Sequence, residues 1–514
     1  MKKIFSILVI TFILAGCSDE FLNRSSLTSL ADDTFWTTES DALLALSGCY
    51  SKLQDPYLFD SDPWAGGVVR MDYMSDDGWC RWGWMAGGAL SRGEHSTTDG
   101  MVSNLWKRCY ETIVRCNRVI ETVPTLNQSI IETAKAKQII AEAKFIRALM
   151  YNMLTMTFRD VPLITKLQNV QDAMVPKNTK AEIVKFILDD LKASVEDLPA
   201  PGSVDWGRAT KGAGYALIAR ISLYNMNWSE AALWSKKVID LGKYSLYPDF
   251  GKLFQSANEI NNEVIFPVRF LRGPDEDGAN FAGYWGVGVI NYQEVLPNLA
   301  EEYYCSDGKP ITVSSLYNSK KPSADRDPRF DASIVSKGSL WRGTALDTYT
   351  KTWTGFAQRK YTEEGNSENH FDADEDFYIF RLGEVLLMRA EALAESNGDK
   401  NEIFALINQL RNRNSVKMPL ADQAELDTYY AGKIVDLVRH ERRVETAFEG
   451  LRYFDLIRWG KLKERAIDFY MSSEKSRLSK ISDRKWVEPN SSVWPIPQSE
   501  LDINKMLGQN AEWN

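Results

Sequence analysis

Histidine is scarce in this chain: His95, His370 and His440 are the only three in 514 residues, and they stand far apart. None has a nucleophile or a second imidazole at motif spacing, and no G-x-S-x-G, H-E-x-x-H or phosphate-loop pattern occurs. His440, flanked by Glu441, Arg442 and Arg443 on a helix, is expected to be solvated or structural rather than a base. Cysteine is sparse too, six in all, with no C-x-x-C and no histidine at ligand spacing, which argues against zinc. After residue 16 no run approaches ~18 consecutive apolar residues, so no further membrane-spanning helix is expected. A basic excess is also missing, with 61 Lys and Arg against 70 Asp and Glu and no basic cluster interleaved with aromatics. A chain of that sign repels phosphate backbones, and nucleic acid is excluded as an expected partner.

What remains is an ordinary globular composition, 44% hydrophobic and 25% charged, carrying an aromatic surplus of 16 Trp, 21 Tyr and 22 Phe. At the N-terminus Lys2 and Lys3 precede the apolar run from Ile4 to Ala15, a positive end and a short apolar core that describe an export signal over residues 1–16. Leu14-Ala15-Gly16-Cys17 resembles the lipobox of bacterial lipoproteins, which makes Cys17 the expected lipid anchor to the membrane. Ser18-Asp19-Glu20 then resembles the acidic stretch that routes some such lipoproteins to the cell surface. Loss of the leader takes 61 basic residues to 59 against 70 acidic, a net charge of −11. Of the cysteines beyond the anchor, Cys49, Cys80, Cys109, Cys116 and Cys305, most are expected to be buried free thiols, since an odd number cannot all pair within the chain. Cys109 and Cys116, seven apart, share one helical face.

Helical periodicity dominates the middle and the end of the chain. From Glu132 to Met156, Ile139, Ala143, Ile146, Met150 and Met153 recur at steps of four and three. Thr210 to Tyr224 and Asn227 to Leu241 predict a hairpin, with Asn227 and Glu230 as a capping box and Gly242 as the stop. Ala213, Ala216, Ala219, Ala231 and Ala232 thin its facing sides. Arg381 to Glu395 and Asn401 to Arg413 predict another hairpin, and Lys433 to Ala447 a further helix. The expected class is therefore mainly α, with tetratricopeptide-like hairpins of irregular period. Residues 55–100 and 245–375 differ, rich in Gly, Pro, Asn and Asp with short β-leaning runs such as Glu263 to Phe266. They are expected to be long functional loops on a helical frame formed by about 17–54, 101–244 and 376–514, all within one domain, 17–514.

Those loops hold the unusual aromatics. DDGWCRWGWMAGG at 76–88 places Trp79, Trp82 and Trp84 among four glycines, and FAGYWGVGVINY at 281–292 repeats the texture with Tyr284 and Trp285. Trp341 and Trp353 follow in the same irregular region. An indole plate stacks on the C–H face of a sugar ring at low entropic cost, while neighbouring polar groups bond the hydroxyls. The candidate ligand-binding residues are Trp79, Trp82, Trp84, Arg81, Asp77, Tyr284, Trp285 and Trp341, against the plainer role of pinning loops to the frame. Trp459 and Trp494 are assigned to structure. Asp76 and Asp77 are the one suggestive carboxylate pair for a glycosidase, but adjacent residues of an extended strand point apart. Asp372, Asp374 and Asp376 imitate a calcium loop whose required Gly is Phe377 and whose closing Glu is Gly383, so no metal or cofactor is expected.

Several stretches together resemble the SusD/RagB family of lipoproteins: CSDEFLN at 17–23, AEAKFIRALMYNMLTMTFRDVPLIT at 141–165, GRATKGAGYALIARISLYNMNWSEA at 207–231, YIFRLGEVLLMRAEALAE at 378–395, HERRVETAFEGLRYFDLIRWG at 440–460 and VWPIPQSELDIN at 493–504. The resemblance implies four tetratricopeptide-like hairpins supporting a loop-rich binding face. It also implies non-enzymatic capture of an oligosaccharide for a TonB-dependent (SusC-like) outer-membrane transporter on which the protein lies as a lid. A hydrolase, or a helical scaffold for a protein partner, are the rival classes. The matching segments carry frame, and no binding residue transfers by motif.

Overall fold

The computed structural model describes residues 35–60, 65–80, 87–169, 171–273, 278–279, 293–341, 343–346, 352–362, 372–468, 484–485 and 491–513. The main helices are α1 (Glu39–Ser51), α2 (Gly100–Thr122), α3 (Thr133–Thr157), α4 (Lys180–Ser194), α5 (Lys211–Tyr224), α6 (Trp228–Asp240), α7 (Leu382–Glu395), α8 (Lys400–Arg411), α9 (Gln423–Tyr430), α10 (Ile434–Thr446) and α11 (Arg452–Arg458). Successive helices pack as hairpins, α2 on α3, α3 on α4, α5 on α6 and α7 on α8, and α6 against α7 carries the stack across the long insertion between them. The expected helices lie where the periodicity places them, shifted by a residue or two at their ends.

Local chemistry sets those ends. The Asp99 carboxylate accepts the N–H groups of Met101 and Val102 to open α2, and Thr179 and Glu182 form a reciprocal capping box on α4. At α6 the box is one-sided: Asn227 accepts from the Glu230 N–H, but the Glu230 carboxylate turns to the indole N–H of Trp234 at 2.9 Å and to Lys192 at 2.5 Å. Ala213, Ala216, Ala219 and Ala231 have no exposed surface, so the α5–α6 approach is close, as the small residues predict. A Cβ on Gly212 would lie 2.0 Å from the Tyr244 hydroxyl oxygen, so a larger residue there would displace the Tyr244 ring. Cys49, Cys80, Cys109, Cys116 and Cys305 are all buried, and none forms a disulfide among the described residues.

The insertion regions are not purely loops. β2 (Val264–Val268) pairs antiparallel with β8 (Phe377–Arg381), and its Pro267 is accommodated where the register shifts. A second sheet has the order β1 (Gly78–Cys80), β3 (Gln293–Val295), β7 (Ala357–Gln358), β4 (Ile334–Val335), and β5 (Leu340–Trp341) pairs with β6 (Thr344–Ala345).

Helices and sheets meet on a buried network of ions centred on α10. The Arg381 guanidinium donates to Glu263 at 2.9 Å, Glu445 at 2.8 Å and Glu449 at 2.7 Å. Arg413 bonds Glu263 at 2.6 Å and Glu445 at 3.0 Å, and Arg329 bonds Glu441 at 2.6 Å and Glu445 at 3.0 Å. Each of these side chains is essentially without solvent exposure. Burial alone would raise the carboxyls, but Arg329 and Arg411 hold Glu441 down at about 2, and Arg413 and Arg381 hold Glu445 well below its usual range. The rings of Phe250 and Phe254 roof the cluster, with the Lys360 ammonium 4.5 Å from the Phe254 centroid. His440 belongs to the same helix, its Nδ1 2.9 Å from Glu302 and its ring 4.3 Å from that of Tyr304, a structural placement as expected. Trp494 is fully buried, and the Trp459 N–H donates to Glu391 at 2.7 Å, so both belong to the frame as assigned.

Removing one member of such a cluster leaves a charge unpaired in a dry interior. Arg381→Met is therefore expected to cost about 3–5 kcal/mol, read as a lowered denaturant midpoint. Glu259 responds in the opposite sense. Burial and the neighbouring Asp376 push its carboxyl up to about 8 while it accepts the Asp376 N–H at 2.5 Å. The folded state thus keeps a proton that the unfolded chain releases near its usual 4.5, and this contribution to stability fades as pH rises from about 4.5 through 8. Glu259→Gln is expected to raise the melting temperature at pH 8 by about 1–2 °C with little change at pH 5, checked by paired thermal melts.

Candidate functional site

The sheet β1-β3-β7-β4 carries Trp79, with Trp353 packed against it. β1 and β3 pair antiparallel, Gly78 opposite Val295, Trp79 opposite Glu294 and Cys80 opposite Gln293. Cys80 precedes the stretch 81–86 and Gln293 follows the stretch 280–292, so the two aromatic segments singled out in the sequence are tethered at one end of one strand pair. Arg81, Trp82, Trp84, Tyr284 and Trp285 themselves lie outside the described residues.

Trp79 is 3% exposed, packed between Leu296 and Trp353, with its ring centroid 5.5 Å from that of Trp353. This corrects the expectation of direct ligand contact: Leu296 and Trp353, brought against the indole by the pairing of β1 with β3, cover it. Trp353 is the half-buried member of the pair. Its backbone N–H donates to the buried Glu294 carboxylate at 3.0 Å, and the N–H and hydroxyl of Thr354 donate to the same group at 3.3 Å and 3.2 Å. An indole on such a clamped turn presents area with little motion to lose on binding. Trp341, on β5, is 7% exposed among Val335 and Ala357, with the Arg359 guanidinium 5.9 Å from its centroid, so its body too is packing.

Asp77 is a second correction. Its carboxylate is wholly buried, and Oδ1 accepts from Nε of Arg443 at 2.8 Å. Asp76 does not point away from it: the Arg443 Nη2 lies 3.0 Å from Asp76, whose two oxygens also take Arg452 at 2.7 Å and 2.9 Å. The turn made when the Asp77 N–H bonds the Ser75 hydroxyl at 3.0 Å brings both carboxylates to one guanidinium, where an extended strand would have parted them. Burial opposes ionisation of both, yet Arg443 and Arg452 hold Asp76 well below the usual range while Asp77 is raised. The pair pins the base of β1 to α10 and offers no open cleft between two acids. Asp374 and Asp376 accept the backbone N–H groups of Arg272 at 2.7 Å and Phe270 at 2.9 Å, and no group of three potential metal ligands occurs among the described residues.

Glu294, the clamp under Trp353, escaped the sequence: an acid inside a short strand reads as a solvated residue, and only its pairing with residues some sixty positions on gives it a role.

Comparison with known proteins agrees with this architecture. Residues 262–513 match the model of the SusD family, and residues 22–223 match one described as starch-binding associating with outer membrane. Residues 1–18 match the prokaryotic membrane lipoprotein lipid attachment site, and no helix among the described residues is long and apolar enough to cross a membrane. A SusD-like protein of Formosa agariphila is 26% identical over 98% of each chain, and the starch-binding protein SusD of Bacteroides thetaiotaomicron is 24% identical over 72% of each. The crystal structure of a SusD-like carbohydrate binding protein from Bacteroides fragilis superposes with a TM-score of 0.80 at 28% identity, over 92% of this chain and 100% of the other. The chain belongs to the SusD/RagB family and is a lipid-anchored protein of the outer membrane.

Proposed function

We propose that the protein captures an oligosaccharide at the cell surface, without cleaving it, and delivers it to a TonB-dependent (SusC-like) transporter. The observation that carries this reading is the clamped indole of Trp353 over buried Trp79, at the strand pair where the two other aromatic segments are tethered. Trp82, Trp84, Tyr284 and Trp285, with Arg81 as a hydroxyl partner, complete the proposed stacking surface. The commitment of Asp76 and Asp77 to Arg443 and Arg452 supports capture over hydrolysis, since a glycosidase needs two carboxylates facing a shared cleft. Relatives described as binding starch and laminarin support a glucan as the ligand class.

Isothermal titration against a panel of glucans tests the capture. Saturable binding without product is expected, whereas release of shortened sugars overturns the reading in favour of a hydrolase. Trp353→Ala is expected to weaken binding at this face by about tenfold or more, and the triple replacement of Trp82, Trp84 and Trp285 by Ala to abolish binding at this face in a chain that still melts cooperatively. Cys17→Ala is expected to move the protein from the membrane to the soluble fraction, read by fractionation and blotting.

A further inference from the structure

A second site of similar chemistry lies away from that sheet, where α1, the turn at 201–210 and β2 converge. Two cavities, of about 480 Å³ and about 270 Å³, adjoin at Trp206 and share the wall from Asp205 to Arg208 together with Pro267. We infer that this double cleft is a second carbohydrate-binding site, with the Trp206 indole as its stacking plate. The inference rests on the carbohydrate-capture reading above and adds to it a place where a longer chain is held.

The turn is built to hold its indole still. Arg208 donates to the fully buried Glu142 carboxylate through Nε at 3.0 Å and Nη2 at 2.6 Å. The Tyr50 hydroxyl donates to the same carboxylate at 2.7 Å and accepts the Ala209 N–H at 2.9 Å. Gly207 sits at φ +93°, and a Cβ there would fall 2.8 Å from the Arg269 side chain, so only glycine lets the turn lie against that residue. Trp206, the residue before, is thereby fixed with one side on the core and the rest toward the cavities.

The linings supply the other half of sugar recognition. In the larger cavity Leu43, Leu46 and Leu53 give an apolar floor, and Gln54 and Arg269 stand at its edge. Arg269 is 48% exposed and approaches Asp376 only to 3.7 Å, which leaves donors for a ligand. In the smaller, Tyr244 and Pro267 face the Asn262 amide, the Asp205 carboxylate and the Lys243 ammonium, all three on exposed residues. An apolar plate ringed by planar amide, carboxylate and guanidinium groups matches an uncharged polyol: C–H faces stack and hydroxyls both donate and accept. An anion would meet Asp205, a cation Arg269 and Lys243, and an apolar chain would bury those polar groups unpaired. Pockets of roughly 300–1,000 Å³ are typical of small-ligand sites; the larger cavity lies within that range, and the smaller, about 270 Å³, extends it along the shared wall. Two sites on one lipid-anchored molecule raise the effective concentration of a long polysaccharide at each.

The test is titration of the full chain, in detergent, with maltoheptaose and with laminarihexaose, followed by calorimetry and native mass spectrometry. With the glucan that binds, two equivalents are expected. Trp206→Ala is expected to weaken one by about tenfold or more and leave the other unchanged, and Trp353→Ala to do the reverse. Asn262→Ala and Arg269→Ala, at exposed positions that do not burden the core, are expected to weaken the same equivalent as Trp206→Ala, by about threefold or more each. A single equivalent that Trp353→Ala removes and Trp206→Ala spares overturns the second site while leaving capture intact. Two equivalents indifferent to Trp206, Asn262 and Arg269 overturn it as well. No binding of either glucan by the wild-type chain overturns it together with the glucan reading on which it rests.

Discussion

The pairing of Arg381, Arg413 and Arg329 with Glu445, Glu263 and Glu441 is the constraint on which the rest of the molecule depends. Ions in a dry interior gain little net stability over apolar residues of the same volume, but they tolerate only one arrangement of the chain. Here the anions come from α10 and from the start of β2, and the cations from β8, the end of α8 and the segment after Asp327. Satisfying them all at once fixes where the last helical hairpins stand relative to the two sheets. The neighbouring triad of Arg443 with Asp76 and Asp77 extends the same logic to β1. The candidate binding face is therefore positioned by these buried ions together with the small apolar clusters around Val295 and Trp79.

Above this network, the proposed binding surfaces rest on stiffened turns. Glu294 gathers the backbone of Trp353 and Thr354, and Glu142 gathers Arg208 and Tyr50 beside Trp206. In both places a buried carboxylate, itself out of reach of ligand, fixes the turn from which an indole projects. The entropy of ordering the aromatic is met during folding, so that binding need not supply it.

The helical frame was legible in the chain because each hairpin follows its own period. Ile139, Ile146 and Met150 on α3, or Ala213, Ala216 and Ala219 on α5, declare a buried face without reference to distant residues, and all are buried. The ion network was not legible, since HERRVETAFEG reads as a solvated polar helix until Arg329, Arg381 and Arg413 are brought against it. The same limit explains Asp77 and Trp79. Both sit in a glycine-rich stretch that looks exposed, and both are covered by partners more than two hundred positions away, Leu296 and Arg443. Trp341 is covered for a similar reason, as Val335 of β4 and Ala357 of β7 pack against it. The meeting of residues 80 and 293 is likewise a property of strand pairing that no local pattern announces.

That pairing also governs the order in which the molecule can come into being. β1 belongs to the first fifth of the chain, β3 to the middle, and the arginine beneath them, Arg443, to the last hairpins. Contacts of such long range are late events in folding, because the loops they close must first be drawn in. A polypeptide emerging from its amino end can assemble α1 to α6 as it appears, yet it possesses no sheet platform until some four hundred residues have followed the lipidated cysteine across the membrane. Newly exported copies thus lack the proposed sheet-borne face until nearly the whole chain has arrived.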